Sequence, residues 1–460
     1  MTKRQRAFLF SICAILFVSA TLFAIFYSQG YRLDLGNKRV TQTGAFYFKV
    51  LPKGAQVYLD GQPKKKTDFL FGAAFIENLL PKRYNVQIKK DGYFTWEKTL
   101  EIKERQVTEA KNVVLIPQSP AFGILTKNAA DFFFTPDEKK IILKEIKETG
   151  WELKLYDLKN NIKSHLMKST DIAKNEVELF DVMFSSDSKR VLLKVGLGEN
   201  LKYYLFDLDK TPAVLSSLDF LGKGVEDVVF NPKDSQKLYF LKERKLAEAD
   251  LTKKAVSPTL LDNIFAWKIF DASFYYLEKS GYLFKTDFSF TPREKINSLP
   301  FPLKEETEYE IDIFPHLFFL KDNEDLYFLN IEAKGFEKIF NKVKAIKESP
   351  DSKKIVCFTD SEIWILFLEK EEGQPQKSAG EKLFLTRLSE KIGDVFWFGS
   401  HYLIFNSEDK IKISEIDERD KINIYDLTEF KTPEIYFNQT DKKLYLLSEG
   451  NFFSSEKIIP

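Results

Sequence analysis

Histidine, cysteine and methionine are scarce in this chain: its 460 residues hold three His, two Cys and three Met. A zinc or related site needs three or four His or Cys ligands brought together, so this inventory nearly excludes one. Cys13 lies in an apolar run and Cys357 in a predicted strand. They form no disulfide framework, and cysteine usage therefore does not report the redox compartment. Local signatures of chemistry are missing too. G-x-S-x-G, H-E-x-x-H, C-x-x-C and the P-loop are all absent, so neighbouring residues supply no nucleophile elbow, metalloprotease helix or phosphate cradle. Residues 1–30 contain no acidic group at all. What is abundant is aromatic and apolar: 44 Phe and 19 Tyr within a 44% hydrophobic composition. At this length that is enough for the cores of about two or three domains, and it is not the composition of a disordered chain.

The acid-free start contains an uncharged run, Ala7 to Tyr27. At about 1.5 Å per residue a helix over it spans about 32 Å, the thickness of a bilayer's hydrocarbon core. Lys3, Arg4 and Arg6 precede it, so the positive-inside rule keeps the N-terminus cytoplasmic and exports everything after Ser28. A cleaved signal peptide is the competing reading. The run is longer than the usual 7 to 15 apolar residues, and no clear small-x-small site follows, which favours an anchor. Ala20 and Ala24 form a weak small-x-x-x-small pair. With six residues before the run, an inward-signalling sensor is disfavoured.

Residues 46–116 alternate polar and apolar side chains in short runs: Phe46–Val50, Ala55–Leu59, Tyr84–Ile88 and Thr99–Ile102. Period two means half-buried strands. Asp60-Gly61 reads as a hairpin turn, and Asp91-Gly92 repeats the device before Tyr93. Lys64-Lys65-Lys66 is expected in a solvated loop; no nucleic-acid fold surrounds it. Four elements in order, Pro52-Lys53-Gly54-Ala55, Val57-Tyr58-Leu59-Asp60-Gly61, Leu80-Pro81-Lys82-Arg83-Tyr84 and Asp91-Gly92-Tyr93, resemble the PEGA domain. Lys53 stands where that family has Glu, and basic residues stand where it has a Gly before the tyrosine. The resemblance implies a non-catalytic, extracytoplasmic β-sandwich of bacterial or archaeal surface proteins, and it carries over no site residue.

Beyond residue 118 a short motif recurs. Phe134-Thr135-Pro136-Asp137-Glu138-Lys139-Lys140-Ile141-Ile142 returns as Phe184-Ser185-Ser186-Asp187-Ser188-Lys189-Arg190-Val191-Leu192, then as Ser349-Pro350-Asp351-Ser352-Lys353-Lys354-Ile355-Val356. In the first two copies an aspartate, Asp157 or Asp207, follows the turn aspartate by 20 residues. Weaker copies begin at Phe230, Phe270, Phe314, Phe398 and Asn438, and the mean period from Asp137 to Asp441 is about 43 residues, the spacing of β-propeller blades. The motif resembles the TolB-like and WD40-like repeats with their F-S-P-D-G-K-x-I pattern. Glu138, Ser188 and Ser352 replace its glycine, and the degraded fourth and fifth copies leave seven or eight blades. The turn aspartates are expected to accept N–H groups two residues on. Ala121–Leu125 is expected to pair with a last strand at Asn451-Phe452-Phe453, removing free sheet edges. Lys370 to Lys382 reads as a long surface loop.

The expected fold is therefore all-β after a membrane helix: anchor at 1–30, a PEGA-like β-sandwich at 31–118, and a seven- or eight-bladed propeller at 119–460. Net charges of these parts are +3, +7 and −9. His316 and His401 read as turn histidines, since no partner is spaced to complete a triad or three-ligand site. Gly196-Leu197-Gly198 reads as a hairpin turn and Asp322-Asn323-Glu324-Asp325 as a solvated turn rather than a Ca²⁺ loop. Asn438-Gln439-Thr440 is a formal glycosylation sequon. No catalytic, cofactor-binding or metal-binding residue is assigned, and no nucleic-acid partner or small-molecule cofactor is expected. The function expected is that of a membrane-anchored, extracytoplasmic interaction protein, its PEGA-like module a stalk and its propeller a platform for a cell-envelope protein or polymer. The alternative is a hydrolase or lyase acting on wall glycan or peptide from loops of several blades.

Overall fold

The computed structural model describes residues 3–34, 38–174, 176–210, 212–314, 317–323, 325–330 and 333–459. Lys3–Ser28 is a single helix with no buried side chain. It is long and apolar enough to cross a membrane, as an anchor or as a signal sequence would be. Ser11 and Thr21 each donate their hydroxyl to the carbonyl four residues back at 3.0 and 2.8 Å, a local pairing that suits a helix in an apolar medium. Gly30, at φ +84°, ends it. Arg32 then ties the helix end to the next unit: its guanidinium donates to Tyr27 O and Asn78 Oδ1, both at 2.8 Å, and lies over the Tyr27 ring.

Residues 44–114 form two sheets on one core. Gly44–Leu51 lies between Ala73–Leu79, antiparallel, and Val107–Val114, parallel. The second sheet has the order Gln62–Lys66, Gln56–Leu59, Arg83–Lys89, Trp96–Glu101. The four strands expected from alternation are present, and their inward side chains, Phe46, Phe48, Val57, Val86, Ile88 and Leu100 among them, make the shared core. Asp60-Gly61 is the expected two-residue turn, with both residues at positive φ. Lys64-Lys65-Lys66 corrects the loop expectation: it lies in an edge strand whose five residues are all exposed. Three lysines on an edge discourage a further strand from pairing there.

From residue 122 onward, eight four-stranded antiparallel sheets follow one another among the described residues. Sheet 1 spans 129–168, sheet 2 178–217, sheet 3 225–256, sheet 4 264–295, sheet 5 309–340, sheet 6 345–387 and sheet 7 392–429. Sheet 8 takes three strands from 434–457 and its fourth from Phe122–Lys127. The repeat motifs fall at the hairpin between first and second strands, where an apolar strand follows a polar turn. The second strands, such as Ser273–Glu278, Lys354–Phe358 and Tyr402–Ser407, are buried on both faces because each packs against a neighbouring sheet. Eight apolar clusters result, one in each gap. The last joins Tyr445, Leu447 and Phe452 of sheet 8 to Ala129, Ile141 and Leu143 of sheet 1, so the sheets close into a ring. First strands of neighbouring sheets touch one another, as between sheets 4 and 5 and between sheets 7 and 8. These strands therefore form the inner edge.

Phe122–Lys127 pairs antiparallel with Asn451–Lys457, Phe122 opposite Ser455 and Lys127 opposite Asn451. The expected closure is thus made, in the place foreseen.

Candidate functional site

The hairpins that begin each repeat are built by short side chains. Thr135, Ser185 and Ser349 donate their hydroxyls to Asp137, Asp187 and Asp351 at 2.5–2.7 Å. The same aspartates accept the amides of Lys139, Lys189 and Lys353 two residues on. These bonds help hold Asp137 and Asp187 below the usual carboxylate range. The aspartates are structural, as the repeat implied.

The face carrying these hairpins holds the small domain. Trp96 and Lys98, successive inward positions of one strand, reach the end of the third strand of sheet 7. Lys98 Nζ is 2.8 Å from Glu415 Oε1, with 0% and 3% of the two side chains exposed. Lys98 also donates to the carbonyls of Asp417 and Arg419. Trp96 Nε1 donates to the other Glu415 oxygen at 2.8 Å, and Asn423 supplies two more donors to Oε1. Every polar atom of the buried pair is thereby answered, the condition under which buried charge is tolerated. Burial still pushes the Glu415 carboxyl up, with Lys98 opposing it. Around this lock, Tyr402 OH accepts the Val114 amide, and Phe94 stacks on Tyr425 at 5.2 Å. Residues 370–382, expected as a long surface loop, are largely exposed and also reach the small domain: Gln374 bonds both the amide of Glu109 and the carbonyl of Val107. The module expected as a stalk is docked on the ring. Beside the lock lies a cavity of about 140 Å³ lined in part by Trp96, Lys377, His401, Tyr402 and Asp417.

The inner edge of the ring carries a repeated polar feature. The first strands of sheets 1, 2, 3, 4 and 7 each have a bulge, a device that re-aims a side chain. In four of them an aspartate sits at or beside it: Asp131, Asp181, Asp227 and Asp394. Asp131, Asp181 and Asp394 each accept the next residue's amide at 2.7–2.8 Å. Asp181 shares a cross-strand face with Tyr203, which packs against sheet 3, whereas Asp394 reaches back to Lys347 of sheet 6. The ring is electrostatically lopsided. Asp312 meets Lys268 at 3.3 Å and Asp394 meets Lys347 at 2.6 Å. Glu434, Asp131, Asp181 and Asp227, on sheets 8, 1, 2 and 3, make no salt bridge among the described residues. Desolvation by the surrounding strands raises the pKa of Asp131, Asp227 and Glu434, with Asp181 adding to the first two and Asp131 to the third; it also raises that of lysine-paired Asp312, and Asp227 and Glu434 remain exposed to solvent.

The other candidates resolve individually. His401 is surrounded by protein, which lowers its pKa; it lines the small cavity with Glu415 and Asp417. Pro315 and His316 lie outside the described residues, so the histidine pair is not placed. Gly198 sits at φ +61° in a two-residue hairpin joining Leu197 to Asn200. Asp322 accepts the Asp325 amide at 2.9 Å, and Asp325 pairs with Lys338; Glu324 lies outside the described residues. Asn438 is fully buried and donates to Glu138 O, so the sequon is closed to a glycosyltransferase in the folded state. Among the described residues no group of three His, Cys, Asp or Glu is placed to hold a metal. The small domain also exposes Phe69, Leu70 and Phe71 at 78%, 58% and 70%. Asp68 holds that loop by accepting three amides at 2.6–2.9 Å. Sequence reasoning missed the Lys98–Glu415 lock, although Trp96, Lys98, Leu100 and Ile102 alternate as inward residues: a lysine at an apolar position asks for a buried partner.

A ring of four-stranded antiparallel sheets with its first strands inside and its ends laced by one sheet is a β-propeller. Residues 49–115 match the PEGA domain family. No curated protein matches the chain. Among solved structures, the β-propeller domain of Myceliophteria thermophila Cps50 (Swd1) is 11% identical with a TM-score of 0.41, covering 73% of this chain and 99% of that one. The Dos1 propeller is 12% identical with a TM-score of 0.46 over 74% and 94%. The computationally designed Ika8 protein is 12% identical with a TM-score of 0.44 over 75% and 98%. The propeller assignment rests on this chain's own strand pairing.

Proposed function

We propose that this is a membrane-anchored, extracytoplasmic interaction protein. Its N-terminal helix spans the membrane with Lys3, Arg4 and Arg6 on the cytoplasmic side, and its PEGA-like β-sandwich clamps an eight-bladed propeller that presents a binding platform. The supporting observation is the asymmetry of the ring: the hairpin face is occupied by the small domain through a buried lock, and the opposite face is open. A platform held rigidly by one face suits capture of a cell-envelope protein or polymer on the other. The exposed Phe69-Leu70-Phe71 loop beside Lys64–Lys66 is an apolar patch with a basic rim, the kind of surface that marks an interaction site.

Two experiments test this. Protease added to cells with permeabilised outer layers should digest the propeller; full protection would overturn the topology. Crosslinked pull-down of the exported region from native envelope should recover a partner through the open face. A hydrolase acting on wall polymer is a second reading, favoured by the raised carboxyls of Asp131, Asp227 and Glu434, since general acids need raised pKa values. Turnover of wall fragments that disappears in Asp227→Asn would establish it over the platform.

A further inference from the structure

The four unpaired carboxylates form a continuous arc. In ring order each is within reach of its neighbour: Asp131 acts on Glu434, Asp181 acts on both Asp131 and Asp227, and Trp267 of sheet 4 acts on Asp227. The same ring supplies an internal comparison, because Asp312 and Asp394 have lysine partners at 3.3 and 2.6 Å. The fold can thus neutralise a carboxylate at this edge, and on four successive sheets it does not.

Two further polar groups stand at the same end of the arc. Tyr203 is 6% exposed and its hydroxyl makes no hydrogen bond. It stands in one cross-strand row with Lys194 and Asp181, so the three side chains share a face. It packs among Val225, Val228 and Phe230 of the strand that carries Asp227, and Asp227 and Asp181 are the charges that act on its hydroxyl. Trp267 Nε1 reaches no acceptor at full hydrogen-bond geometry, but it is turned to the Asp227 carboxyl and helps hold its pKa down. Buried polar groups are normally satisfied, so the orphaned Tyr203 hydroxyl beside Asp181 and Asp227 marks a place where a polar guest is received. The arc lies in the half of the first strands away from the hairpins. It therefore opens toward the face that the small domain leaves free.

We propose that this arc binds an alkylammonium or guanidinium group, delivered either by a lysine or arginine side chain of a partner or by a free polyamine. The proposal rests on the platform reading for the partner's side chain, but not for the polyamine. Organic cations suit the site better than a metal ion because among the described residues no three ligands converge. Lys144 and Lys194, cross-strand to Asp131 and Asp181, temper the field and set a preference for a guest with more than one positive charge.

The test is calorimetric titration of the exported region with spermidine and, separately, with an acetylated, amidated Arg-Lys-Arg peptide at low salt. Saturable binding of at least one probe is expected. Asp227→Asn and Asp181→Asn should each weaken it at least tenfold, whereas Asp312→Asn, whose carboxylate already has a lysine, should leave it unchanged. Lowering the pH from 7.5 toward 4 should weaken binding to the unaltered protein, since the carboxyls of Asp131, Asp227 and Glu434 are raised by desolvation and protonate ahead of ordinary carboxylates. That measurement needs no variant to fold. Spermidine binding alone identifies a small-molecule site, and peptide binding alone a docking site for a basic segment. No binding of either probe, or equal losses in Asp312→Asn and Asp227→Asn, overturns the proposal. Envelope partners still captured by Asp181→Asn/Asp227→Asn would then leave the platform reading standing without it.

Discussion

Glu138, Ser188 and Ser352 sit at φ +56°, +57° and +56°, in the left-handed region that strains any residue with a Cβ. They occupy the position where the repeat family has glycine. Two recover the cost through their side chains: Glu138 accepts the Tyr436 and Thr440 hydroxyls across the ring closure, and Ser188 Oγ accepts the Asp137 amide at 3.2 Å. Ser352 is exposed, and no side-chain contact of it offsets the strain. Ser352→Gly is expected to stabilise the protein by about 0.5–1 kcal/mol, while Glu138→Gly should destabilise it; chemical denaturation checks both. The inner-edge acids make a second residue-scale prediction. A carboxyl whose pKa is higher in the folded state contributes stability below its unfolded pKa and loses it as pH rises through the folded one. Asp227→Asn should therefore raise the melting temperature at pH 7, with the advantage fading toward pH 4. An unchanged or lowered melting temperature at pH 7 would show that Asp227 is not held at a cost.

Individual elements show how far the sequence could be read. Strands were legible wherever one face meets solvent, as in Tyr84–Ile88, because alternation survives there. The repeat hairpins were legible because Asp and Ser or Thr at fixed offsets have one local job. Degraded repeats kept their strands for another reason: Phe274, Tyr275, Tyr276 and Leu277 are all buried, and a strand apolar on both faces needs no turn signature to be held in a gap. What stayed illegible depends on distant partners. Lys98 and Glu415 are 317 positions apart in the sequence, and although alternation points Lys98 inward, nothing local names its partner. The unpaired carboxylates were equally hidden, since pairing across the inner edge is decided by neighbouring sheets. The lock yields its own prediction. Lys98→Met strands a buried carboxylate and should cost about 3–5 kcal/mol, whereas Lys98→Met with Glu415→Leu should recover most of that. Separate unfolding transitions for the small domain and the ring in Lys98→Met, against one in the unaltered protein, would show that the lock couples them.

At the scale of the whole molecule, eight interfaces and one lacing strand make the ring a closed object. Deleting Phe122–Lys127 leaves the Asn451–Lys457 edge unpaired without removing any other sheet. Such a variant should lose cooperative unfolding and self-associate through the exposed edge, observable as a broadened thermal transition and a concentration-dependent rise in apparent mass. A sharp transition at the original temperature would mean that the ring does not depend on its lacing.

The lacing strand also imposes a timetable. Phe122 pairs with Ser455, so the chain makes the first half of the closing ladder 333 residues before the second. At a synthesis rate of about 5–20 residues per second, that interval is about 17–67 s. Throughout it the early strand has no mate, and sheet 1 has no neighbour on the side that sheet 8 will cover. Birth therefore carries a long interval of vulnerability that the finished ring erases, and a cell making this protein must shelter the nascent chain until Asn451–Lys457 arrive.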